Sequence, residues 1–418
     1  MTHPKMQYTY VGIDSHKDTH TAVFLDCFFE RLGAITFANR PSQFGAFLEA
    51  AQQYLQENTT FMFGLEDTAN YGRTLTSFLN KNGQPVKHVN SLLVAEERKR
   101  QSAPQKTDSI DAECAARILL SNFSELPNAT TNDDYWVLRT LVLRRGAILK
   151  NNKVLKSQLH TFITQHYPAY RSYFENIHYK TSLAFFMKYP SPGLLKNTTL
   201  EELTAMLEMH SYKVFGVAKA RQILESIEDT AVDMQHIRDM VVQSTIRQLQ
   251  FNMDEIKTLE QTIAQVLDGF GTTLTSMRGV DTVSAAQLLS CIGDIRRFST
   301  PAKLARYAGV APNTYASGKS EKQYASQRGN RELNSLFYNL ALRVTITASA
   351  KKIIMNEFFH GYYHRKISEG KTKRQALKCV QRRLVNIVWT MLTHNEEYVN
   401  PPMYDMSPDD DTPEVTVK

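Results

Sequence analysis

One short run of the chain constrains its fold more than any other. Residues Thr60–Leu65 read TFMFGL, an almost continuous apolar strand that ends directly at the acid Glu66. Such a run is typical of a central strand that is buried on both faces of a sheet. Short strands are also predicted at Gln7–Ile13, Thr21–Leu25 and Arg31–Phe37, and their close spacing indicates an antiparallel meander.

Strand and helix signals alternate after the meander. We predict helices near 41–56, 71–82 and 109–121, with a strand over 85–89 and a polar segment between that strand and the last helix. The resulting order, β-β-β-α-β-α-β-α, is the layout of ribonuclease-H-like domains. The sequence therefore predicts an α/β domain over residues 1–130.

The rest of the chain is predicted to be mainly helical. Residues 131–268 carry two apolar stripes, one from Leu138 to Phe162 and a heptad-like one from Val242 to Leu267. The stripes could pair within one chain or between two, and a role in dimerisation is slightly favoured. Residues 269–400 are predicted to form a mainly α-helical C-terminal domain, and residues 401–418 an acidic, disordered tail.

Within the predicted C-terminal domain we expect a turn at Gly279 that enters a helix. Further helices are expected near 302–308, 331–350 and 371–393, with a loop over 309–330. Backbone N–H groups of such a turn could contact phosphate.

The composition excludes several classes of protein. The 418 residues are 42% apolar and 22% charged, an ordinary globular balance. No apolar run approaches the roughly 20 residues that span a bilayer, and the N-terminus lacks the layout of a signal peptide, so we expect a cytosolic protein. The four cysteines form no C-x-x-C pair, which argues against disulfides and a cysteine zinc site.

The charge is distributed unevenly. There are 49 basic and 42 acidic residues, but the segment 296–331 holds eight Lys or Arg and one acid, and 361–383 holds the same. Segment 138–160 has six basic residues and no acid. Separate basic stretches indicate a polyanionic partner, most often nucleic acid, although charge alone fits solvated surfaces equally well.

Four acids occur at positions where a sheet would bring them together. Asp14 and Glu66 end predicted strands, while Asp108 and Asp111 share one face at the start of a helix. Converging carboxylates repel each other unless cations bind, and oxygen ligands select hard ions such as Mg²⁺ or Mn²⁺. A pair of such ions suits phosphodiester chemistry.

The alternative for each acid is a capping or helix-charging role. The four acids together, in this order on these elements, favour a metal site. The nearby histidines, His16 and His20, are interpreted as polar residues of a surface turn.

A Ser-Gly pair, Ser317 and Gly318, lies in the most basic stretch. A serine hydroxyl can attack a phosphodiester and keep the bond energy in a phosphoserine link. On the residues alone an ordinary turn serine is favoured, and Ser320 and Ser326 compete for the role.

These motifs resemble the IS110-type, or DEDD, transposases, which are related to the Piv-type DNA invertases. The resemblance covers both end regions, about two thirds of the chain. It departs at Ala69, Gln327 and Asn334, where the family usually has glycine, lysine and arginine. The matching motifs are VGIDSHKD (Val11–Asp18), GLEDTANY (Gly64–Tyr71), KTDSIDA (Lys106–Ala112), GVDTVSA (from Gly279), IGDIRRF (Ile292–Phe298), YAGVAP (Tyr307–Pro312), ASG (Ala316–Gly318) and RGNREL (Arg328–Leu333).

The resemblance implies a RuvC-like, ribonuclease-H-like N-terminal domain whose catalytic metal ligands are Asp14, Glu66, Asp108 and Asp111. It implies that Ser317 is the nucleophile of a C-terminal transposase domain, and that the tetrad and the serine come from different protomers of at least a dimer. It further implies donor and target DNA as substrates, a structured guide RNA as partner, Mg²⁺ or Mn²⁺ as cofactor, and a nucleoid-associated protein of a bacterium or archaeon. The basic residues expected to contact nucleic acid are Arg296, Arg297, Lys319, Lys322, Arg328 and Arg331.

Three other functions stay open on the sequence. The first is a metal-dependent nuclease that uses water and needs no serine. The second is a Piv-like invertase with a fixed target, and the third a nucleic-acid-binding protein without catalysis.

Overall fold

The computed structural model describes residues 3–66, 71–100, 105–129, 133–228, 233–317, 320–324, 329–348 and 353–400. The chain divides into two compact units, Met1–Asp133 and Asp134–Lys418. Within the described residues, no helix is both long enough and apolar enough to span a membrane.

The first unit is a mixed α/β domain, as predicted. Its sheet has the order β3-β2-β1-β4-β5, in which β1, β2 and β3 are antiparallel neighbours and β4 is parallel to both β1 and β5. The elements are β1 (Tyr8–Ser15), β2 (Thr19–Leu25), β3 (Arg31–Ala38), α1 (Pro41–Ala51), β4 (Thr60–Glu66), α2 (Arg73–Lys81), β5 (Val86–Val89), α3 (Ser91–Lys99) and α4 (Asp108–Asn122).

The polar segment after β5, for which no element was predicted, contains α3. The side chain of Asn90 caps this helix by accepting a hydrogen bond from the backbone N–H of Leu92 at 2.9 Å. Only Val94 of the helix is buried. The segment therefore lacks the apolar stripe by which a helix is identified from sequence.

The central sheet is covered on both faces, as the apolar run of β4 predicted. Val11, Ile13 and Phe63 lie on the face covered by α1 and α2. Tyr10 and Met62 point the other way and pack in the layer formed by α4. The alternation follows from the two-residue period of a strand.

Helix α4 lies unusually close to β1. A Cβ atom on Gly12 would lie 2.1 Å from the carbonyl oxygen of Ala112 and 2.3 Å from the backbone nitrogen of Ala116. Only glycine therefore fits at residue 12, and the first turns of α4 rest directly on the strand that ends in Asp14.

The second unit is predominantly helical. Its described elements are α5 (Asp133–His166), α6 (Tyr170–Tyr173), α7 (Lys180–Lys188), α8 (Pro192–Leu195), α9 (Leu200–Ser211), α10 (Val217–Glu225), α11 (Gln235–Asp268), α12 (Thr282–Ile292), α13 (Pro301–Tyr307), β6 (Asn313–Ser317), β7 (Ser320–Tyr324), α14 (Arg331–Thr345), β8 (Thr347–Ala348), β9 (Ile353–Ile354), α15 (Glu357–Ser368) and α16 (Lys373–His394).

The two long helices, α5 and α11, pair with each other in antiparallel fashion within the chain. The amide of Asn252 donates to Asn152 at 2.7 Å in the buried interface, and Arg145 forms an ion pair with Glu260 at 2.6 Å. The stripes therefore meet inside one chain. The oligomeric state stays a prediction.

Helices α5 and α11 contribute to two hydrophobic clusters. Leu159 and Val242 belong to a cluster with α6–α10, whereas Leu138 and Ile263 belong to a cluster with α12–α16. At about 1.5 Å per residue, a 34-residue helix such as α5 is about 50 Å long.

Two predictions for the C-terminal region were wrong, and one helix was missed. The expected loop over 309–330 contains the hairpin β6–β7. The helix expected to continue to residue 350 ends at Thr345, before the short pair β8–β9. Helix α15 was not predicted. The turn at Gly279 was predicted correctly: its φ is +100°, and Asp281 caps α12 by accepting from the N–H of Ser284 at 2.7 Å.

Candidate active site

Two of the four predicted acids lie side by side at the ends of neighbouring parallel strands. The register of β1 and β4 pairs Asp14 with Glu66. Because side chains alternate along a strand, both point to the face that Gly12 presents to α4. Asp14 is buried, with 8% of its surface exposed.

The other two acids lie in the first turn of α4, which rests on the same face. Thr107 caps the helix by accepting a hydrogen bond from the N–H of Ile110 at 3.2 Å. Asp111 is buried at 6% exposure, whereas the side chain of Asp108 is 58% exposed. The positive end of the helix dipole stabilises both carboxylates.

His16 joins the two halves of this group. Its Nε2 atom lies 3.0 Å from Oδ2 of Asp14 and 3.2 Å from Oδ1 of Asp108. The pKa of His16 is raised above its usual value. Burial alone would lower this pKa, but the neighbouring carboxylates of Asp14 and Asp108 raise it by more. His16 does lie in the turn after β1, as predicted, yet its ring contacts two of the candidate ligands. The sequence signal for this contact is its position two residues after Asp14.

The interpretation of His20 as a surface turn residue was wrong. His20 lies in β2 and is completely buried. Its ring packs edge-on against Phe37, with 5.5 Å between the ring centroids. It is therefore part of the domain core.

Arg98 is a cation at the site, and the sequence patterns did not indicate it. It lies in the unpredicted helix α3, and its Nη1 atom forms an ion pair with Oδ1 of Asp111. Its only sequence signal is a short basic run, Arg98–Arg100, in a segment that was not assigned to an element.

The electrostatics of the site fit a divalent cation. Burial and the negative charges of Asp14 and Asp111 raise the pKa of Glu66 to about 7. Burial also raises the pKa of Asp14, although His16 opposes the shift. Oε2 of Glu66 is buried and has no hydrogen-bond partner among the described residues. An orphaned acceptor among repelling carboxylates is the arrangement that a cation would stabilise.

Ser317 belongs to the second unit and is the last residue of β6. The register of the hairpin pairs Ser317 with Ser320, and Tyr315 with Lys322. Lys319 and Arg328, two of the residues expected to contact nucleic acid, lie outside the described residues.

The base of the segment that carries the hairpin is tightly closed. Gly329 has a φ of +113°, and a Cβ atom there would lie 2.6 Å from the backbone nitrogen of Gly309. The side chain of Asn334 donates to the carbonyl oxygens of Ala308 and Gly309 at 3.0 and 2.7 Å. Asn334 thus anchors the N-terminal end of the segment to α14.

The remaining basic residues differ in how they are held. Arg296 is exposed but forms a bidentate ion pair with Asp294, with a shortest distance of 2.6 Å. The guanidinium of Arg297 lies 4.9 Å from the ring centroids of both Phe298 and Tyr307. Arg331 is exposed at the first position of α14.

Comparison with known proteins gives two family matches and several relatives. Residues 11–168 match the model of the IS110-type DEDD transposases, described as a transposase. Residues 271–356 match that of the transposase IS116/IS110/IS902 family. A 44.8 kDa protein of insertion element IS116 from Streptomyces clavuligerus is 25% identical over 394 residues, 92% of this chain and 94% of the relative.

Two further relatives extend the comparison. A 43.6 kDa protein of insertion element IS110 from Streptomyces coelicolor is 30% identical over 221 residues, 50% of this chain and 51% of the relative. A pilin gene-inverting protein from Moraxella bovis is 23% identical over 402 residues, 94% of this chain and 98% of the relative. The two family matches follow the order of the motifs on either side of the helical middle, and the chain belongs to the IS110 family of DEDD transposases.

Proposed function

We propose that this chain is the recombinase of an insertion element and exchanges DNA strands through a phosphoserine intermediate. Membership of a transposase family supports DNA as the substrate. The observation that carries the catalytic part is the group of acids at the ends of β1 and β4 and the start of α4, in which the buried Oε2 atom of Glu66 lacks a partner among the described residues. The four acids of this group are Asp14, Glu66, Asp108 and Asp111, in what we propose is a RuvC-like domain.

These acids would hold one or two Mg²⁺ or Mn²⁺ ions. When bound, such an ion supplies a Lewis acid that stabilises charge on phosphate oxygens. The contribution of the protein is to fix the ligands: the register of β1 and β4 sets Asp14 beside Glu66, and the close packing of α4 on Gly12 sets Asp111 beside them.

In the proposed chemistry, Oγ of Ser317 attacks a DNA phosphorus. A new O–P bond forms as the serine hydroxyl gives up its proton, one bridging P–O bond to deoxyribose breaks, and the leaving alkoxide takes up a proton, so the step involves no net gain or loss of protons. Attack by the hydroxyl of a second DNA end reverses the step and releases the serine, so no external energy source is consumed. The hairpin supports this role because Ser317 is the last residue of β6, at the end of a paired strand.

A guide RNA is proposed as the partner that selects the DNA. The support is the number of separate basic stretches, 138–160, 296–331 and 361–383. Basic surfaces bind RNA and DNA backbones regardless of sequence, which would leave the choice of target to base pairing.

The test is to trap the covalent intermediate. Purified protein is incubated with Mg²⁺, labelled DNA spanning the element junction, and RNA transcribed from the element ends, and the products are separated under denaturing conditions. We expect a protein–DNA adduct whose modified residue maps to Ser317, that is lost in Ser317→Ala and retained in Ser320→Ala. DNA cleavage that persists without an adduct in Ser317→Ala would instead indicate a nuclease that uses water.

A DNA invertase with a fixed target is the second candidate. The relative from Moraxella bovis, named as a pilin gene-inverting protein, aligns over 94% of this chain. Omitting the RNA separates the two: adduct formation that is unchanged without RNA would favour the invertase.

A further inference from the structure

The histidine between two carboxylates of the candidate site has no role in the proposed strand exchange. His16 lies in the turn that joins β1 to β2, and its Nε2 atom is 3.0 Å from Asp14 and 3.2 Å from Asp108. These three donor atoms all lie within 4.8 Å of one another. The group thus offers one nitrogen and two oxygen donors from three residues.

The spacing from Nε2 of His16 to each of the two carboxylate oxygens fits neighbouring positions of an octahedral coordination sphere. Neighbouring ligands at about 2.1 Å from an ion are separated by about 3 Å, since the edge of an octahedron is about 1.4 times the bond length. The two distances from Nε2 of His16, 3.0 Å to Asp14 and 3.2 Å to Asp108, are close to this separation. Half of the His16 side chain, 49%, is exposed, so an ion and its water ligands have access from solvent.

The turn holds the imidazole in this position. The backbone N–H of His16 donates to the carbonyl oxygen of Thr19 at 3.0 Å, which closes the turn. The side chain of Asn39 donates to the carbonyl oxygen of His16 at 3.3 Å. The ring is therefore presented by a fixed backbone, as a ligand requires.

We propose that His16 is a ligand of the cation bound by Asp14 and Asp108, which makes this part of the site a mixed nitrogen–oxygen site that prefers Mn²⁺ to Mg²⁺. The inference rests on the proposed function, because it needs the tetrad to bind metal. An imidazole ligand favours the transition metal over Mg²⁺, which is bound mainly through carboxylate oxygens and water. Glu66 and Asp111 remain oxygen ligands. The part of the site formed by these two acids therefore differs in its preferred ion from the part formed by Asp14, His16 and Asp108.

Mn²⁺ itself is the probe, because its electron spin reports a bound nitrogen. The full-length protein is loaded with Mn²⁺, and electron spin-echo envelope modulation is recorded with natural and with ¹⁵N-labelled histidine. We expect a ¹⁴N modulation in the natural-abundance protein that is replaced by a ¹⁵N modulation after labelling. The modulation is lost in His16→Ala and retained in His236→Ala, an exposed histidine of the second unit.

Affinity gives a second readout. His16→Ala is expected to weaken Mn²⁺ binding by roughly tenfold or more, the size of loss caused even by removing an outer partner of a ligand. Binding of Mg²⁺ should weaken less, so that the preference for Mn²⁺ falls. Equal losses for the two ions would contradict a nitrogen ligand.

The outcomes separate this inference from the proposed function. Bound Mn²⁺ that is lost in Asp14→Asn but shows no ¹⁴N modulation in the unmutated protein overturns the role of His16 and leaves the tetrad intact. A modulation that persists in His16→Ala also overturns it. No Mn²⁺ binding in the unmutated protein overturns both.

Discussion

Two basic side chains, His16 and Arg98, lie among the acids of the candidate site. Each contacts a different part of the group: His16 contacts Asp14 and Asp108, and Arg98 contacts Asp111. The charge of Arg98 compensates repulsion that a divalent ion would otherwise have to compensate. At this scale, stability and metal binding are therefore linked.

Replacing Arg98 should make the stability of the protein depend more strongly on metal. In Arg98→Met we expect the free energy of unfolding to fall by about 3 kcal/mol in EDTA, because a buried carboxylate loses its partner. The loss should shrink in Mg²⁺, since the ion replaces the missing charge. Urea unfolding under both conditions measures this, with the exposed neighbour Lys99→Met as control; an equal loss with and without Mg²⁺ would refute the link.

The buried His20 should make the first unit sensitive to acid. Burial lowers its pKa from 6.5, and neither ring nitrogen has a hydrogen-bond partner among the described residues. Below about pH 6.5 the unfolded chain therefore binds a proton that the folded protein does not, and stability present above that pH is lost as the pH falls. In His20→Leu, urea unfolding between pH 7.5 and 5.5 should show a smaller loss than in the unmutated protein. An equal loss of unfolding free energy over this pH range in both proteins would contradict the prediction. His236→Leu is the control.

At the scale of single elements, the contact between α4 and β1 positions half of the tetrad. A side chain at residue 12 would push α4 outward and move Asp108 and Asp111 away from Asp14. The glycine therefore matters for the site although it carries no functional group.

Gly12→Ala should impair metal binding without removing an acid. The added Cβ would meet backbone atoms of α4 at 2.1 and 2.3 Å, so we expect a loss of several kcal/mol in stability and a weaker affinity for Mn²⁺. The matched control is Gly45→Ala in α1, where a Cβ meets nothing within 4 Å and stability should rise by about 0.5–1 kcal/mol. Thermal unfolding and a Mn²⁺ titration by electron paramagnetic resonance give both quantities. An unchanged affinity for Mn²⁺ in folded Gly12→Ala would contradict the prediction, because it would show that α4 accommodates the added Cβ atom without moving its acids out of the site.

Much of the first unit could be predicted from local patterns. The run TFMFGL identified the central strand, and the positions of the acids at strand and helix ends identified the candidate ligands. Helix α3, and with it Arg98, could not be predicted because a helix with one buried residue leaves no periodic signal. The hairpin did have a signal in the sequence: Gly318 follows the β-favouring residues Thr314 and Tyr315, and glycine is favoured at the first position of one type of two-residue hairpin loop.

At the scale of the whole molecule, the α5–α11 pair organises the second unit. The heptad-like spacing predicted that these helices would pair, but spacing alone cannot decide between a partner in the same chain and one in another. The structure shows the intrachain pair through the contacts of Asn152 with Asn252 and of Arg145 with Glu260.

The buried asparagine pair should fix the alignment of the two helices. Asn152→Leu leaves the amide of Asn252 with one partner fewer, and we expect a loss of about 1–3 kcal/mol. The double variant Asn152→Leu/Asn252→Leu should recover most of this loss, because two leucines need no partner. A double-mutant cycle by urea unfolding measures the coupling. Additive losses would mean that the two amides act independently.

Helices α5 and α11 run without interruption from one hydrophobic cluster of the second unit into the other. A hinge between the two clusters would require a break in both helices at the same level. Neither α5 nor α11 has a break among the described residues. We therefore expect a movement of the helices in one cluster to be transmitted along α5 and α11 to the helices of the other cluster. By the same reasoning, a fragment that begins after residue 268 would lack Leu138, Val142, Ile263 and Leu267. The apolar side chains of α12–α16 that pack against these four residues would then be exposed to solvent.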